Sequence, residues 1–334
     1  MAGNHIDTDV VIVGAGPSGS AAAIWCLRQG LSVVVLEKTP FPRDRPGETL
    51  HPGIEVVFRT LGVFDDIVKL TETRHEGINI RAGNKFLFVP YGSDQRGTWL
   101  GFQVKRSDLD NCLLSKAVEL GAVLRQPAKS QNVICIDGKV SGVVTDNGII
   151  KSKFIIDATG NSQWLRKQLG LTVNQCSQKL LARYGYTSEP VYGEDVPVLS
   201  FNENGWRWDA KISEKLFQWT QLEVDHKPFA KYEDKFKGAD VTWRIVRECA
   251  GAGYFLTGEA AAILDPGGSK GVLRAIYSGV MAADSIAKIV LSGQNEKGLC
   301  LGYQNWMRDW FFRDCDELNK LYLENGHNVS YEKL

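Results

Sequence analysis

Residues 9–37 run DVVIVGAGPSGSAAAIWCLRQGLSVVVLE, a strand, a glycine-rich turn, a helix and a second strand in order. The opening DVVIV is a β-branched run, the pattern of a strand buried on both faces of a parallel sheet. It breaks at Gly14-Ala15-Gly16-Pro17-Ser18-Gly19. SAAAIWCLRQG then sets Ala, Ile and Leu at helical spacing, with Gly30 as the stop. LSVVVLE returns as a second strand ending on Glu37. Gly14 permits the tight turn, Gly16 lets the backbone approach a pyrophosphate, and Gly19 lets the helix lie close on the strand. The helix N-terminus, opened by Pro17 and Ser18, faces the anion. Glu37 is placed to accept hydrogen bonds from ribose hydroxyls. Alone, Gly-x-Gly-x-x-Gly is a weak signal. Inside strand, turn, helix and strand, with the terminal acid, it predicts a dinucleotide site.

Bulk properties narrow what carries this unit. At 334 residues the chain has room for two lobes or one large α/β unit. Its 39 basic residues balance 39 acidic ones, which argues against nucleic acid or an acidic membrane surface as main partner. The 7 cysteines include no Cys-x-x-Cys pair, so no metal is expected and the thiols read as reduced and intracellular. The short polar lead reads as neither signal nor transit peptide, and no apolar run reads as membrane-spanning. The expected location is the cytoplasm.

Further stretches decide which dinucleotide. GFQVKRSDLDNCLLSKAVELGA (101–122) sets Arg106 just before a helix whose Leu109, Leu113, Ala117 and Leu120 share a face. KSKFIIDATG (151–160) is another apolar strand, ending at Asp157-Ala158-Thr159-Gly160. GEAAAILDPGGSKGVLRAIYSGVMAA (258–283) offers a carboxylate, a backbone-exposing turn and a helix rich in small residues. With PRDRPGETLHPG (42–53), these resemble FAD-binding enzymes of the para-hydroxybenzoate hydroxylase fold. More narrowly, they resemble the branch of geranylgeranyl reductases, flavin-dependent halogenases and related monooxygenases. A nicotinamide dehydrogenase would account only for the first stretch.

The resemblance implies an α/β fold. Its Rossmann-like FAD-binding domain is discontinuous, over residues 1–74, 105–174 and 246–298. An inserted antiparallel β-sheet, residues 75–104 and 175–245, forms the substrate domain roofing the flavin, and 299–334 form a C-terminal helical segment. In such enzymes a Gly-Asp pair holds the ribitol chain of FAD; here Gly258-Glu259 stand there, one methylene longer. Pro266, Gly268 and Gly271 then present backbone N–H groups to the flavin ring, at the start of the helix that carries Val272. The resemblance also assigns Lys38, Arg43, Glu48, Thr49, Arg106 and Gly160 to the cofactor's surroundings. FAD is the implied cofactor. The electron donor stays open between NAD(P)H, a separate reductase and a substrate oxidised at the site.

The inserted segments alternate polar and apolar residues, as in KFLFVPYG and FQWTQLEV. In NGWRWDAKI, Trp206 and Trp208 match the first half of the halogenase Trp-x-Trp-x-Ile-Pro stretch. Alternation points both to one face, as a substrate-pocket wall or as a packing surface. Halogenases also need a lysine on a strand after the Gly-Glu segment, and TETRHEGINIRAGNK offers only Lys85. His51 is a candidate donor to a flavin or oxygen atom, and Lys270 a candidate charge beside the reduced flavin. His5, His226 and His327 sit among polar residues and are assigned no role.

LDPGGSKGVLRAIYSG resembles most closely flavoproteins that hydroxylate a tryptophan side chain inside another protein, maturing the tryptophylquinone cofactors of lysine and glycine oxidases. That resemblance implies an FAD-dependent monooxygenase acting on an electron-rich ring, with a quinone-cofactor oxidase precursor as protein partner and an open cleft above the flavin. A halogenase, an alkene reductase and a non-catalytic flavoprotein chaperone are the alternatives. The apolar residues at 303, 306, 307, 310, 311, 318 and 321 form a helical stripe, which caps its own domain or docks a partner through Trp306, Trp310, Phe311 and Phe312.

Overall fold

The computed structural model describes residues 6–83, 85–188, 195–224 and 236–333. The run DVVIV ends the strand Ile6–Val13, in which Val10 to Val13 are buried. It lies between Val33–Leu36 and Gly148–Asp157, both parallel to it. Val123–Arg125 extends the sheet in parallel on one side, and the antiparallel strands Lys139–Thr145 and Ser130–Ile136 extend it on the other. Tyr254–Leu256 adds in parallel to the end of Gly148–Asp157. Strands covered on both faces need apolar residues at successive positions, which is why VVIV and VVVL do not alternate.

The described α-helices are α1 (Pro17–Arg28), α2 (Ile54–Thr60), α3 (Phe64–Leu70), α4 (Arg106–Glu119), α5 (Trp164–Leu169), α6 (Gly271–Ser292) and α7 (Glu296–Glu324). α6 crosses α1 in direct backbone contact: a Cβ on Gly279 would lie 2.2 Å from the Ser18 carbonyl oxygen. The small residues of α6 thus bring its first turns beside the α1 N-terminus. Contrary to the sequence expectation, α6 is long and apolar enough to cross a membrane, with a mean hydropathy of 1.3. Its Ile276, Ala282, Ala283 and Ile286 are instead buried in the core.

A second sheet has seven strands, in the order Lys237–Asp240, Leu181–Thr187, Leu216–Glu223, Gly205–Ser213, Val198–Asn202, Gly77–Ala82 and Lys85–Pro90. It is antiparallel except where Val198–Asn202 runs parallel to Gly77–Ala82. A strand returning after a long connection is free of the hairpin's antiparallel constraint. The stretch 75–104 also divides, because Gly101–Val104 pairs with Thr49–Leu50 and Thr71–His75 in a separate small sheet. A second core lies between the seven-stranded sheet and α7, and holds Trp206, Trp208, Trp243, Phe311 and Tyr322. The α7 stripe faces inward: Tyr303, Met307, Phe311 and Leu318 are buried, and Trp306, Trp310 and Leu321 half-buried.

Candidate functional site

The turn at 14–19 is shaped by its glycines. Gly14 has φ +104°, and a Cβ there would meet the Ala158 carbonyl oxygen at 2.4 Å. A Cβ on Gly19 would meet the Gly14 carbonyl oxygen at 1.9 Å, so α1 begins directly against the strand end. Pro17 opens the helix after Gly16, which supplies no side-chain cap. The first amides of α1 are left for another acceptor. Beside them the Ser18 hydroxyl is buried with no hydrogen-bond partner.

Glu37 lies behind this turn, accepting the Ala15 and Thr39 amides at 2.9 Å each. Arg43 reaches across: Nη1 is 3.3 Å from Glu37 Oε2, and Nη2 is 3.0 Å from where a Gly16 Cβ would be. Lys38 is exposed. Free amides and an unpartnered hydroxyl at the start of α1, with the Arg43 guanidinium beside Gly16, fit a dinucleotide pyrophosphate. Glu37 keeps lone pairs for a ribose hydroxyl.

A second wall forms where residues 47–49 meet α6. A Cβ on Gly47 (φ +109°) would lie 3.0 Å from Arg106 Nη1 and 3.6 Å from Val272 Cγ2. Arg106 opens α4 and donates to the Pro46 carbonyl at 2.7 Å and to Asp110 at 3.0 Å. Glu48 is buried; it accepts the Gly47 amide at 2.8 Å and the Tyr186 hydroxyl at 2.5 Å. Burial pushes its carboxyl up, against the Tyr186 bond and the Arg106 charge. Thr49 donates to Gln103 Oε1 at 3.0 Å, and its carbonyl accepts from Ser269 Oγ at 3.0 Å. Opposite, Gly258 donates its amide to Ser278 Oγ at 2.8 Å. Glu259 is exposed, makes no hydrogen bond among the described residues, and brings Oε2 within 3.6 Å of the Cβ position on Gly160. An uncommitted carboxylate there fits a ribitol hydroxyl. In the turn that follows, Pro266 and Gly271 are exposed and Gly268 is half-buried.

The candidate catalytic residues separate. His51 accepts the Gly53 amide on Nδ1 at 3.1 Å, so its neutral ring carries the proton on Nε2 and is a donor. Burial, then the Lys270 charge, lowers its pKa. Lys270, by contrast, is held by Asp314 at 3.2 Å and by Glu317, both on α7, and is not an uncommitted charge for the flavin. Trp206 and Trp208 are 2% and 6% exposed in the second core, and Trp206 donates to the Tyr322 hydroxyl at 2.6 Å. They pack rather than wall a pocket. Phe311 and Phe312 are likewise buried, which leaves only Trp306 and Trp310 of the expected docking quartet at the surface. His327 is buried against Phe201, while His5 and His226 lie outside the described residues.

Sequence reading missed Tyr91, His75 and Tyr186. The Tyr91 ring stands between His51 (5.3 Å between centroids) and His75 (5.5 Å). His75 is buried; Nδ1 lies 3.0 Å from the Gly77 carbonyl and Nε2 has no partner. Burial holds its pKa down at about 4. These contacts depend on how the strands close, so no local motif announces them.

Known proteins are similar to this chain in sequence and in fold. Residues 7–186, more than half of the chain, match the family model described as FAD binding domain. A 1H-pyrrole-2-carbonyl peptidyl-carrier-protein brominase of Pseudoalteromonas luteoviolacea is 29% identical, over 89% of this chain and 81% of its own length. The solved flavin-dependent brominase Bmp2 superposes with a TM-score of 0.78 at 26% identity, covering 90% of this chain and 83% of that one. PqsL of Pseudomonas aeruginosa, described as a probable FAD-dependent monooxygenase, shares the fold with a TM-score of 0.78 at 16% identity, over 91% and 92% of the two chains. The family match starts at the first strand and runs through the Glu48 loop and Arg106 to the second sheet; this chain belongs to the FAD-binding-domain family and is an FAD-dependent oxidoreductase.

Proposed function

We propose that this oxidoreductase is a monooxygenase that hydroxylates an electron-rich aromatic ring, a tryptophan side chain presented by a partner protein. The observation that carries the reading is the array of His51, Tyr91 and His75. Bound FAD, reduced by two electrons, supplies the chemistry that sends one atom of dioxygen to the ring and the other to water. The chain's own residues orient and enclose. The Tyr91 ring offers an aromatic face suited to an indole. His51, with Nδ1 taken by the Gly53 amide, keeps a neutral Nε2–H as a donor that adds no charge, and buried His75 packs against Tyr91. Phe86, Leu87 and Phe88 (58%, 61% and 43% exposed) lead along the edge strand to Tyr91, and Trp99 (45% exposed) follows it. An apolar skin at the approach suits a macromolecular substrate better than a small one enclosed on all sides.

A halogenase is the second reading, favoured by the brominase at 29% identity over 89% of this chain. Against it, Lys85 is exposed at the start of the edge strand Lys85–Pro90, not enclosed in a pocket. The test is turnover of holoenzyme with a chemical reductant, comparing a tryptophan-bearing protein or peptide with free tryptophan. Oxygen incorporated into the peptide, faster than into free tryptophan, supports the proposal. Rapid hydroxylation of the free amino acid would overturn the protein-substrate part, and FAD that binds without any turnover would leave the chaperone reading.

A further inference from the structure

The turn at 265–271, read above as facing the flavin ring, is fixed mainly by residues distant in sequence. Asp265 is 1% exposed. Its Oδ1 accepts the Gly267 amide at 2.9 Å, and Oδ2 accepts Trp243 Nε1–H at 2.6 Å and the Tyr322 hydroxyl at 3.3 Å. The Tyr322 oxygen in turn accepts Trp206 Nε1–H at 2.6 Å. One carboxylate thereby ties the turn to α7 and to the second sheet. α7 reaches the turn twice more. Asp314 and Glu317 hold Lys270, and Leu318 Cδ2 lies 3.6 Å from where a Gly268 Cβ would be. From the other side, Ser269 Oγ donates to the Thr49 carbonyl at 3.0 Å.

We infer that α7 braces the flavin-facing turn, and that Asp265 is the positioning residue through which Trp206, Trp243 and Tyr322 set its geometry. The inference rests on the reading of 266–271 as the turn that meets the flavin. A buried carboxylate with three donors is satisfied only while all three stay in place, so the Gly267 amide cannot shift without leaving a buried group unpaired. Asparagine at 265 keeps the shape but not the pattern: whichever way its amide is turned, its NH₂ faces either Gly267 N–H or the Trp243 and Tyr322 donors. Phenylalanine at 322 keeps the ring in the core and removes the bridge, stranding the Trp206 N–H. This gives the halogenase-like tryptophan on Gly205–Ser213 a task in this chain: it anchors the cofactor turn from behind.

The experiment titrates apo-protein with FAD by flavin fluorescence, measures the midpoint potential of bound flavin by dye equilibration, and melts the apo-protein. Asp265→Asn and Tyr322→Phe are each expected to raise the FAD Kd by about tenfold or more and to displace the potential. Asp316→Asn, on the same helix but bonded to Tyr331 and Lys333 at the surface, should change neither. Lowered apo-protein melting temperatures with wild-type Kd and potential would overturn the inference, leaving the network a purely structural one. If Asp265→Asn does not fold, Tyr322→Phe carries the same test alone. Wild-type protein that failed to titrate with FAD would overturn the cofactor reading itself, a result distinct from failure of the brace.

Discussion

Replacing Gly16 with valine should give a folded protein that no longer holds FAD. Gly16 has φ −68° and ψ −175°, extended backbone that valine adopts without strain. The nearest atom to an added Cβ is Arg43 Nη2 at 3.0 Å, the far end of a flexible side chain. Gly14 and Gly19 differ, since backbone carbonyl oxygens stand 2.4 Å and 1.9 Å from their Cβ positions. Position 16 is thus where bulk spares the fold and obstructs the ligand. Valine would cover the approach to the first α1 amides. Losing two hydrogen bonds to a charged pyrophosphate, each worth about 1.5–2 kcal/mol, removes about 3–4 kcal/mol of binding. That corresponds to a rise in FAD Kd of roughly two to three orders of magnitude. Fluorescence titration measures the Kd, and thermal unfolding of the apo-protein checks the fold, with Gly19→Ala as the variant expected to lose stability. A Gly16→Val protein with an unchanged apo-protein melt and a Kd within about threefold of wild type would show that the pyrophosphate does not lie against Gly16.

Other predictions concern residues that the fold brings in. His75 titrates at about 4 when folded against 6.5 for an ordinary histidine, so the unfolded chain takes up its proton first as pH falls. That linkage removes about 3 kcal/mol of stability between pH 6.5 and 4, and His75→Asn should flatten this slope in denaturant melts across that range. Tyr186→Phe takes a donor from buried Glu48 and should cost about 1–3 kcal/mol. Because the Glu48 carboxyl is already pushed up, the deficit should be larger at neutral pH, where the group must ionise, than in acid; equal losses at both would contradict the assignment. Lys85→Ala should leave the identity and yield of the product unchanged by mass spectrometry, and a product lost with that lysine would favour halogenation.

The cofactor half of the molecule was legible because its signals are local. Gly14, Gly16, Gly19 and Glu37 fall within one strand–helix–strand unit, where φ and close approach dictate residue type. Glu48, Arg106 and Gly258-Glu259 became legible only through resemblance, since each meets its neighbours across long stretches of chain. Trp206 and Trp208 showed the limit of periodicity: alternation gives a shared face but does not say that α7 covers it. Lys270 looked uncommitted in its loop because Asp314 and Glu317 lie more than forty residues away on another helix. Likewise His75 and Tyr91 carry no spacing rule, and only the pairing of Gly77–Ala82 with Lys85–Pro90 brings their rings together.

Hydroxylation and halogenation separate in the mass of an indole-bearing peptide after one turnover of the reduced holoenzyme with dioxygen, in the presence of bromide. The expected mass gain is one oxygen atom on the indole, in the same yield with or without bromide. Bromine on the ring in place of oxygen would contradict it.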